Sequence, residues 1–443
     1  MAKEYLIGNF LKRIKRPIEL EANQDYNLVT IKMRHKGVVL RGSKNGSDIK
    51  SKMFQVKEGD FILSGIDARN GAFGIVPKEL EGAIVTNDFW YFEIDENIIL
   101  KQLFLELTTM SWFDDICRKG SDGTTQRIRL QKNKFFNQKI LLPDANKQRD
   151  LLDKILTFKK GQMSLNKEIE SQKKNITHLK QCILQEAVQG KLTADWRINN
   201  PDSEDASVLL KRIQKEKVQL VKDKKIRKER ALPAITKDEI PYMIPENWKW
   251  CRVGDSGFTQ TGNTPPKKNP ENFGNFIPFI GPADISNQLM RYPVEGLSEL
   301  GISVGRFIPR DSLMMVCIGG SIGKCNINEV DVSCNQQINT VTPILIPSIY
   351  IKAVCQSPFF QKNIFEKSSG SATPIINKGK WEALPIPLPP LEEQKVIVQK
   401  VNALMGLCDR LEQEVKQSQE HSEHLMQSVL REVFEGERKT VEV

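Results

Sequence analysis

Three stretches of this 443-residue sequence carry residue types at spacings typical of phosphate-binding, nuclease or metal-binding sites. The first, IGGSIGKC from Ile318 to Cys325, approaches the phosphate-binding loop GxxxxGK[ST], in which backbone amides cradle phosphates and a hydroxyl binds Mg²⁺. That loop needs glycine in place of Ile318 and serine or threonine in place of Cys325. Because the hydroxyl ligand is missing, we interpret the stretch as a turn between two strands.

The second stretch has the letters of a PD…DxK nuclease: Pro201-Asp202 is followed by Asp223-Lys224-Lys225. Such a nuclease holds Mg²⁺ between carboxylates at the ends of neighbouring strands, whereas Asp223 stands in a basic run with helical character. A chance match is the favoured interpretation. A Mg²⁺-dependent nuclease acting through Asp202, Asp223 and Lys225 is kept as an alternative function.

The third stretch places His421 and His424 three residues apart, a spacing that lets two imidazoles face one metal ion. No third ligand is apparent, and the remaining histidines, His35 and His178, lack an evident acid or nucleophile partner. The eight cysteines include no CxxC pair, which predicts reduced, buried thiols. We therefore predict no metal site, no catalytic residue and no cofactor bound by this chain.

The elements that must position any functional residue occur in two copies along the sequence. LLPDANKQRDLLDKIL and PLPPLEEQKVIVQKV align when Gln148 is placed on Gln394, an offset of 394 − 148 = 246. With no gap, the same offset later places Gly190 on Gly436, and each glycine is predicted to end a helix. A register kept over that length indicates an internal duplication.

Each copy continues with apolar residues spaced alternately three and four apart, a heptad pattern that predicts a long helix with a helical partner. A helix of about 40 residues is about 60 Å long. The polar positions Gln172 and Ser418 coincide under the offset, which favours the two helices pairing with each other over each helix packing on its own domain. The predicted seam comprises Ile155, Leu165, Ile169, Ile176 and Leu179 in the first helix and Val401, Leu411, Val415, Leu425 and Val429 in the second.

A globular portion with short strands precedes each helix. GDFILSGI and AIVTNDFWYFEI in the first copy, and SLMMVCIGGSIGKCNI and VSCNQQINTVTPILI in the second, are apolar runs broken by turn residues. Helical patterns follow in both copies, and the portions differ most before Gly59 and before Asp311. The predicted fold class is α+β, with two similar globular domains, two long helices and an internal repeat.

The charge balance points to an anionic partner. The formal net charge is +10, and residues 211–230 hold ten Lys or Arg against three Asp or Glu. That run suits a nucleic-acid contact, a solvated linker helix or a docking face for an acidic subunit. No apolar stretch approaches the roughly 18 residues of a membrane helix, and no secretory signal is evident. A cytoplasmic location is therefore predicted.

These patterns divide the chain into six predicted segments. They are a first globular domain (1–146), a first coiled-coil helix (147–192), a basic helical linker (193–243), a second globular domain (244–390), a second coiled-coil helix (391–436) and a tail (437–443).

The sequence resembles the specificity subunits of type I restriction–modification systems. The resemblance rests on PENWKWCRVGD, RFIPRDSLMMVCIGGSIGKCNI and LPIPLPPLEEQKVIVQKV in the second half, and on FQVKEGDFILSGIDARNGAFGIVPKELEGAIVTNDFW and VQGKLTADWR in the first. It covers essentially the whole chain. One departure is LPDANKQ, where the family pattern is close to LPPLEEQ.

The resemblance implies that the chain is not an enzyme. Each globular portion would be a target-recognition domain that reads one half of a bipartite double-stranded DNA sequence. The two long helices would be antiparallel, related by a pseudo-two-fold, and would set the gap between half-sites. It also implies partners: two methyltransferase subunits, which use S-adenosylmethionine, and restriction/translocase subunits, which use ATP and Mg²⁺. A coiled-coil scaffold with no DNA role is the further alternative.

Arginine and lysine in loops are the expected DNA contacts, because arginine pairs with guanine through two hydrogen bonds and both residues neutralise phosphate. The aromatic residues Trp248, Trp250 and Trp381 are predicted to pack in cores or junctions. The candidate DNA-binding residues are Arg41, Lys44, Lys50, Arg69, Arg127 and Arg129 in the first domain and Lys267, Lys268, Arg291, Lys367, Lys378 and Lys380 in the second.

Overall fold

The computed structural model describes residues 3–109, 111–123, 128–370 and 372–435, with side chains described for all of these except 111, 112, 423 and 426–435. The described chain forms two compact units. One comprises the residues up to Ile169 together with those from Gln417 onward, and the other runs from Glu170 to Lys416. Within the described ranges, no helix is long and apolar enough to cross a membrane.

The first globular portion, residues 3–142, is called the first head. Its strands are β1 (Lys3–Leu6), β2 (Leu11–Ile14), β3 (Pro17–Ile18), β4 (Asp25–Ile31), β5 (Val38–Asn45), β6 (Met53–Gln55), β7 (Phe61–Ser64), β8 (Phe73–Ile75), β9 (Ile84–Val85), β10 (Phe89–Ile94), β11 (Ser121–Asp122), β12 (Arg129–Leu130) and β13 (Lys139–Leu142). Its helices are α1 (Ile7–Phe10), α2 (Lys101–Thr108), α3 (Ser111–Lys119) and α4 (Lys132–Phe136).

Two sheets organise the first head. One has the strand order β2-β10-β7-β8, and its core includes the aromatic rings of Phe61, Phe92 and Phe104. The other has the order β3-β6-β9-β4-β5, so that β5 is an edge strand, and its core includes Val29 and Val38. The second sheet is built mainly from residues before Gly59, where the two copies of the sequence differ most.

The chain continues through α5 (Ala145–Val188), α6 (Ala194–Asn199) and α7 (Ala206–Lys222) into the second head, residues 249–388. The strands of the second head are β14 (Lys249–Arg252), β15 (Gly257–Thr261), β16 (Phe273–Gly274), β17 (Ile277–Ile280), β18 (Gly296–Leu297), β19 (Leu313–Val316), β20 (Cys325–Ile327), β21 (Ser333–Cys334), β22 (Ile338–Pro343) and β23 (Pro385–Leu388). Its helices are α8 (Glu299–Val304), α9 (Ser348–Gln356), α10 (Pro358–Lys367) and α11 (Lys378–Glu382), and α12 (Leu391–Glu435) follows.

Strand order repeats between the heads, which confirms the internal duplication. The sheet β15-β22-β19-β20 has the connectivity of β2-β10-β7-β8. At the head–helix junction, Lys3 pairs with Leu142 in β1–β13, and Lys249 pairs with Leu388 in β14–β23. Both partners are shifted by 246 (249 − 3 and 388 − 142), the offset of the long helices. The sheet β16-β18-β17-β21 has no counterpart of the same order in the described first head.

The repeated glutamine fixes the start of each long helix. Gln148 Nε2 donates to the carbonyl oxygen of Pro143 (2.9 Å), and Gln394 Nε2 donates to that of Pro389 (2.8 Å). Both glutamine side chains are buried. The first helix ends as expected, because Gly190 has φ +74°, a left-handed conformation that favours glycine at a helix C-terminus. Gly436 lies outside the described residues.

Within the second unit, α5 runs antiparallel to α12. Lys180 Nζ lies 2.8 Å from Asp409 Oδ1 and 2.9 Å from Glu412 Oε2. Just beyond the end of α5, Asp195 Oδ1 lies 2.8 Å from Lys400 Nζ. Because the chain advances from 180 to 195 while its partners in α12 move back toward 400, the two helices have opposite directions. The predicted pairing of the two long helices is confirmed in this unit.

The buried row of the helices is narrower than the predicted seam. Residues seven apart are buried, including Ile169 and Ile176 in α5 and Cys408 and Val415 in α12. The intervening leucines are 43–55% exposed, because helices that meet along one row each leave the adjacent row at the margin of the contact. The exposed leucines are Leu165, Leu179, Leu411 and Leu425; Ile155 and Val401 are buried, and the Val429 side chain lies outside the described residues.

Candidate nucleic-acid interface

The candidate cations of the first head are concentrated on one hairpin and its continuation. Arg41 and Lys44 lie on β5, Lys50 follows it, and all three are exposed. Arg69 lies half-buried in the 3₁₀ turn Ala68–Asn70. The exposed Arg129 lies on β12 with Nη1 2.9 Å from Asp88 Oδ1, so part of its charge is already compensated. Arg127 lies outside the described residues.

The hairpin, called the ribbon, is the antiparallel pair of β4 and the edge strand β5, and β4 also pairs with β9 at Leu28. Both of its faces are partly covered, because Val29 and Val38 belong to one core cluster and Tyr26 belongs to another; Asn27 and Ser43 face each other at exposed positions with Oγ 2.6 Å from Oδ1.

A β-bulge interrupts the ribbon at Arg41. Leu28 pairs with Gly42 and Val29 pairs with Leu40, so Arg41 is the extra residue on β5. Gly42 has φ +148°, a conformation that side chains disfavour. Because a bulge bends its strand and redirects a side chain, Arg41 is presented differently from the regular residues of β5.

Four further exposed cations, absent from the candidates predicted from the sequence, belong to the same structure. They are Lys32, Arg34, Lys36 and Lys52. Arg34 and His35 have positive φ of 60° and 56°, so the turn between β4 and β5 is not marked by the usual Asn-Gly or Asp-Gly pair. The signal available in the sequence was the density of charge from Lys32 to Lys52.

His35 has an acidic partner, contrary to the expectation from the sequence. Its Nε2 lies 3.0 Å from Asp114 Oδ2, and its ring contacts Phe73 edge-on at 5.0 Å. The two residues are 79 positions apart, which is why no local pattern revealed the pair. These contacts fasten the turn of the ribbon to β8, which carries Phe73, and to α3, which carries Asp114. In the part of the chain that is described, no cluster of three metal-ligating side chains occurs.

The candidates of the second head are more scattered. Lys267 and Lys268 lie in the turn after β15, Arg291 lies between β17 and β18, and all are exposed. Lys367 ends α10, and Lys380 lies on α11 with Nζ 3.4 Å from the Lys367 carbonyl oxygen.

Lys378 is held inside the second head rather than offered to a ligand. Its ammonium group forms an ion pair with Glu382 and lies 3.9 Å from Glu229 Oε1. Glu229 also accepts from the backbone amide of Thr259 (3.0 Å) and from Lys217 Nζ (2.7 Å). The lysine therefore belongs to an internal network that joins the linker to α11.

The basic run 211–230 is docked on the second head along part of its length. Leu209 and Ile213 of α7 are fully buried, and Lys217 Nζ also donates to the Gly254 carbonyl oxygen (2.7 Å).

The two aspartates of the nuclease-like motif, Asp202 and Asp223, do not lie at the ends of neighbouring strands. Asp223 caps the C-terminus of α7 and accepts from Gln219 Nε2 (2.8 Å), and Asp202 lies in a turn.

A buried carboxylate joins α12 to the end of α5 and to the second head. Glu393 is fully buried, and it accepts from the Thr193 hydroxyl (2.6 Å), from Trp248 Nε1 (2.8 Å) and from the Arg197 guanidinium. Arg197 also donates to the Gly190 carbonyl oxygen (2.6 Å). Full satisfaction by hydrogen bonds allows a charged group to remain in this site.

Hydrogen bonds from the Arg252 side chain hold the extended segment after α7. The buried Arg252 donates to Glu239 Oε1 (2.7 Å) and to the carbonyl oxygens of Pro233 (3.0 Å) and Ala383 (2.5 Å). Hydrogen bonding from the Arg252 guanidinium lowers the pKa of Glu239 to about 2. The carboxylate is therefore ionised at neutral pH and fastens the linker segment to the head.

The remaining chemical candidates are structural. IGGSIGKC forms the turn between β19 and β20, as predicted. Burial raises the pKa of the Cys317, Cys325 and Cys334 thiols to about 12, so they stay protonated. Trp248 and Trp381 are buried, and Trp250 contacts Phe359 ring to ring at 5.6 Å.

Comparison with protein families gives a match over most of the chain. A family model described as the type I restriction modification DNA specificity domain matches twice, over residues 7–174 and 245–420. The two matched ranges contain the two heads and large parts of the long helices.

Curated relatives carry the same description. The type I restriction enzyme EcoAI specificity subunit of Escherichia coli is 30% identical over 57% of this chain and 43% of its own length. The EcoEI specificity subunit of the same organism is 30% identical over 57% of this chain and 44% of its own length. This chain therefore aligns with less than half of the length of each of these two relatives. The HindI specificity subunit of Haemophilus influenzae is 25% identical over 90% of this chain and 92% of its own length.

Solved structures share the fold. A chain from a structure titled for complex assembly and conformational transition of the type I R-M system has a TM-score of 0.63 at 17% identity, covering 98% of this chain and 97% of that one. The HsdS subunit of Thermoanaerobacter tengcongensis has a TM-score of 0.54 at 15% identity, with coverage of 98% and 97%.

Proposed function

Because this chain belongs to the type I restriction–modification DNA specificity family, we propose that it is the non-catalytic subunit that selects the DNA sequence of such a complex. Each head reads one half of a bipartite target in double-stranded DNA. The observation that carries the proposal is the family match occurring twice, once over each head and its long helix.

The repeat explains why two half-sites are read by different surfaces. The heads share the β2-β10-β7-β8 arrangement, which acts as a common scaffold, and differ in the second sheet. A common scaffold with unlike second sheets is suited to docking two heads on DNA in an equivalent way while reading two different sequences. Base readout then depends on the side chains that each second sheet presents.

The long helices are proposed to set the unread gap and to dock the methyltransferase subunits. Support for docking comes from the exposed leucines: Leu179 and Leu411 are 44% and 43% exposed although they lie in a helix pair. Exposed apolar residues that recur along paired helices are a common feature of partner surfaces. S-adenosylmethionine, ATP and Mg²⁺ are proposed to bind the partner subunits and not this chain.

The proposal is tested by co-expressing the full chain with methyltransferase subunits from a related system and mapping methylated adenines. We expect one bipartite sequence to be methylated, and we expect methylation to be lost when this chain is omitted. Methylation unchanged by omission of the chain would contradict the proposal. Incubation of the chain alone with plasmid and Mg²⁺ tests the nuclease alternative, which requires cutting that Asp223→Ala abolishes.

A further inference from the structure

One short segment of the first head carries a concentrated excess of positive charge, comparable to that of residues 211–230 in the linker. Residues 32–52 contain seven Lys or Arg and one Asp, a surplus of six, while the whole chain has a net charge of +10. This segment comprises the turn of the β4–β5 ribbon, β5 itself and the residues after it. We propose that the ribbon is the DNA-contacting element of the first head and supplies the larger share of the salt-dependent binding of that head.

The seven cations are available to a ligand. All are exposed, and within the described parts of the chain none of them forms an ion pair with a carboxylate. Arg129 and Lys378, by contrast, are engaged by Asp88 and Glu382. The seven are Lys32, Arg34, Lys36, Arg41, Lys44, Lys50 and Lys52.

Protection of a sheet edge does not account for this charge. Lysines on an edge strand prevent association with other strands, and Lys44 on β5 suits that role. Lys32, Arg34 and Lys36, however, lie in or beside the turn, where no strand edge needs protection. A surplus of six like charges in this one segment costs free energy through mutual repulsion unless an anionic partner relieves it.

The turn of the ribbon is anchored, so its cations are presented from a defined position. The backbone amides of Arg34 and His35 donate to the carbonyl oxygens of Asn70 (2.8 Å) and Gly71 (3.0 Å). The His35 ring adds its contact with Asp114 at 3.0 Å. An anchored surface loses little conformational entropy on binding.

The shape of the element suits duplex DNA. The major groove of B-DNA is about 12 Å wide and admits a two-stranded β-ribbon. The bulge singles out Arg41, whose guanidinium can make two hydrogen bonds to the O6 and N7 atoms of guanine.

The second head lacks such a concentration. Its divergent segment, residues 262–312, contains five Lys or Arg and five Asp or Glu. Non-specific affinity for DNA depends on the number of phosphates neutralised, so the divergent segments of the two heads should contribute unequally to it.

This inference rests on the proposed function and is tested by the salt dependence of binding. The full chain, assembled with its methyltransferase subunits, is titrated with a duplex carrying the mapped target at several salt concentrations. We expect Lys32→Gln, Arg34→Gln and Lys36→Gln combined to reduce the slope of log K against log salt by about 0.9 for each phosphate that is no longer neutralised, up to ~2.7. The matched control, Lys12→Gln, Lys57→Gln and Lys78→Gln, removes three exposed charges elsewhere in the same head and should change the slope by less than half as much.

The possible outcomes distinguish failure of the ribbon proposal from failure of the proposed function. Equal slopes for the ribbon variant and the wild-type complex, with sequence-specific binding intact, would overturn the ribbon proposal and leave the proposed function standing. Equal decreases of slope in the ribbon and control variants would also overturn it, because net charge alone would then explain the effect. Loss of subunit assembly in place of DNA affinity would overturn it as well and assign the ribbon to an acidic protein partner. Absence of sequence-specific binding by the wild-type complex would contradict the proposed function itself.

Discussion

At the scale of single residues, the structure separates cations that are paired inside the fold from cations that are exposed and unpaired with carboxylates in the described chain. Lys378 and Arg252 are tied to carboxylates inside the second unit, whereas Arg41 stands exposed at a bulge. Residue type could not distinguish these roles in the sequence. The distinction depends on partners such as Glu239 and Glu382, whose proximity is a consequence of folding.

Arg41 is predicted to determine one base pair of the half-site read by the first head. In the assembled complex, Arg41→Gln should lose about 1–3 kcal/mol of discrimination at that position, measured as relative methylation of targets that differ at one base pair. Arg41→Lys is the matched control: it keeps the charge but lacks the planar fork, so it should lose discrimination while keeping the salt dependence. Unchanged discrimination in both variants would show that Arg41 reads no base.

Glu393 is predicted to be the main polar contributor to the junction of α12. Glu393→Ala leaves Trp248 Nε1 and the Thr193 hydroxyl unpaired in a buried site, and it should lower the free energy of unfolding by about 3 kcal/mol. Urea unfolding followed by tryptophan fluorescence measures this change. The neighbouring Glu392, exposed and paired with Lys395, provides the control, since Glu392→Ala should cost below about 0.5 kcal/mol. A similar loss of stability in both variants would contradict the assignment.

Glu239 is predicted to make stability depend on acid pH. Its pKa is lowered to about 2 in the folded chain from an ordinary value of 4.5, so the stabilisation is complete above pH 4.5 and is lost as pH falls toward 2. Glu239→Gln should therefore be less stable than wild type at pH 6, and the difference should vanish near pH 2. Thermal unfolding across this range, with the exposed Glu246→Gln as control, measures it. A difference that does not depend on pH would rule out the Arg252 ion pair as its cause.

At the scale of elements, the sequence predicted the repeated features and missed those that depend on distant contacts. The offset of 246 predicted two long helices, and the same offset relates the strand pairs at their bases. The heptad predicted two apolar rows, but only one is buried along the described helices, because which row faces the partner depends on how the helices meet. The β4–β5 ribbon was missed, since its turn at Arg34 and His35 is stabilised by Asn70, Gly71 and Asp114 and not by local turn residues.

The antiparallel pairing in the second unit is predicted to depend on Lys180. Lys180→Glu places like charges beside Asp409 and Glu412 and should lower the free energy of unfolding by about 1 kcal/mol. Adding Asp409→Lys and Glu412→Lys should restore most of the stability, as a mutant cycle followed by thermal unfolding would report. Lys174→Glu, at an exposed position of the same helix, is the control and should have little effect. Failure of the rescue would contradict the observed register.

At the scale of the whole molecule, two heads with unlike second sheets belong to one repeated framework. The resemblance seen in the sequence and the double family match agree on this organisation. The duplication was readable because helices and junction strands kept one register. The exposed charge of the ribbon was not, because it depends on which side chains folding leaves without ion-pair partners.

The central claim is that each head reads its own half of the target independently. Its most direct test is to replace residues 244–390 with the corresponding domain of another family member and to map methylated adenines in the assembled complex. We expect one half-site to change to that of the donor, while the other half-site stays as in the parent complex. A map in which both half-sites change, or in which neither changes, would contradict the claim.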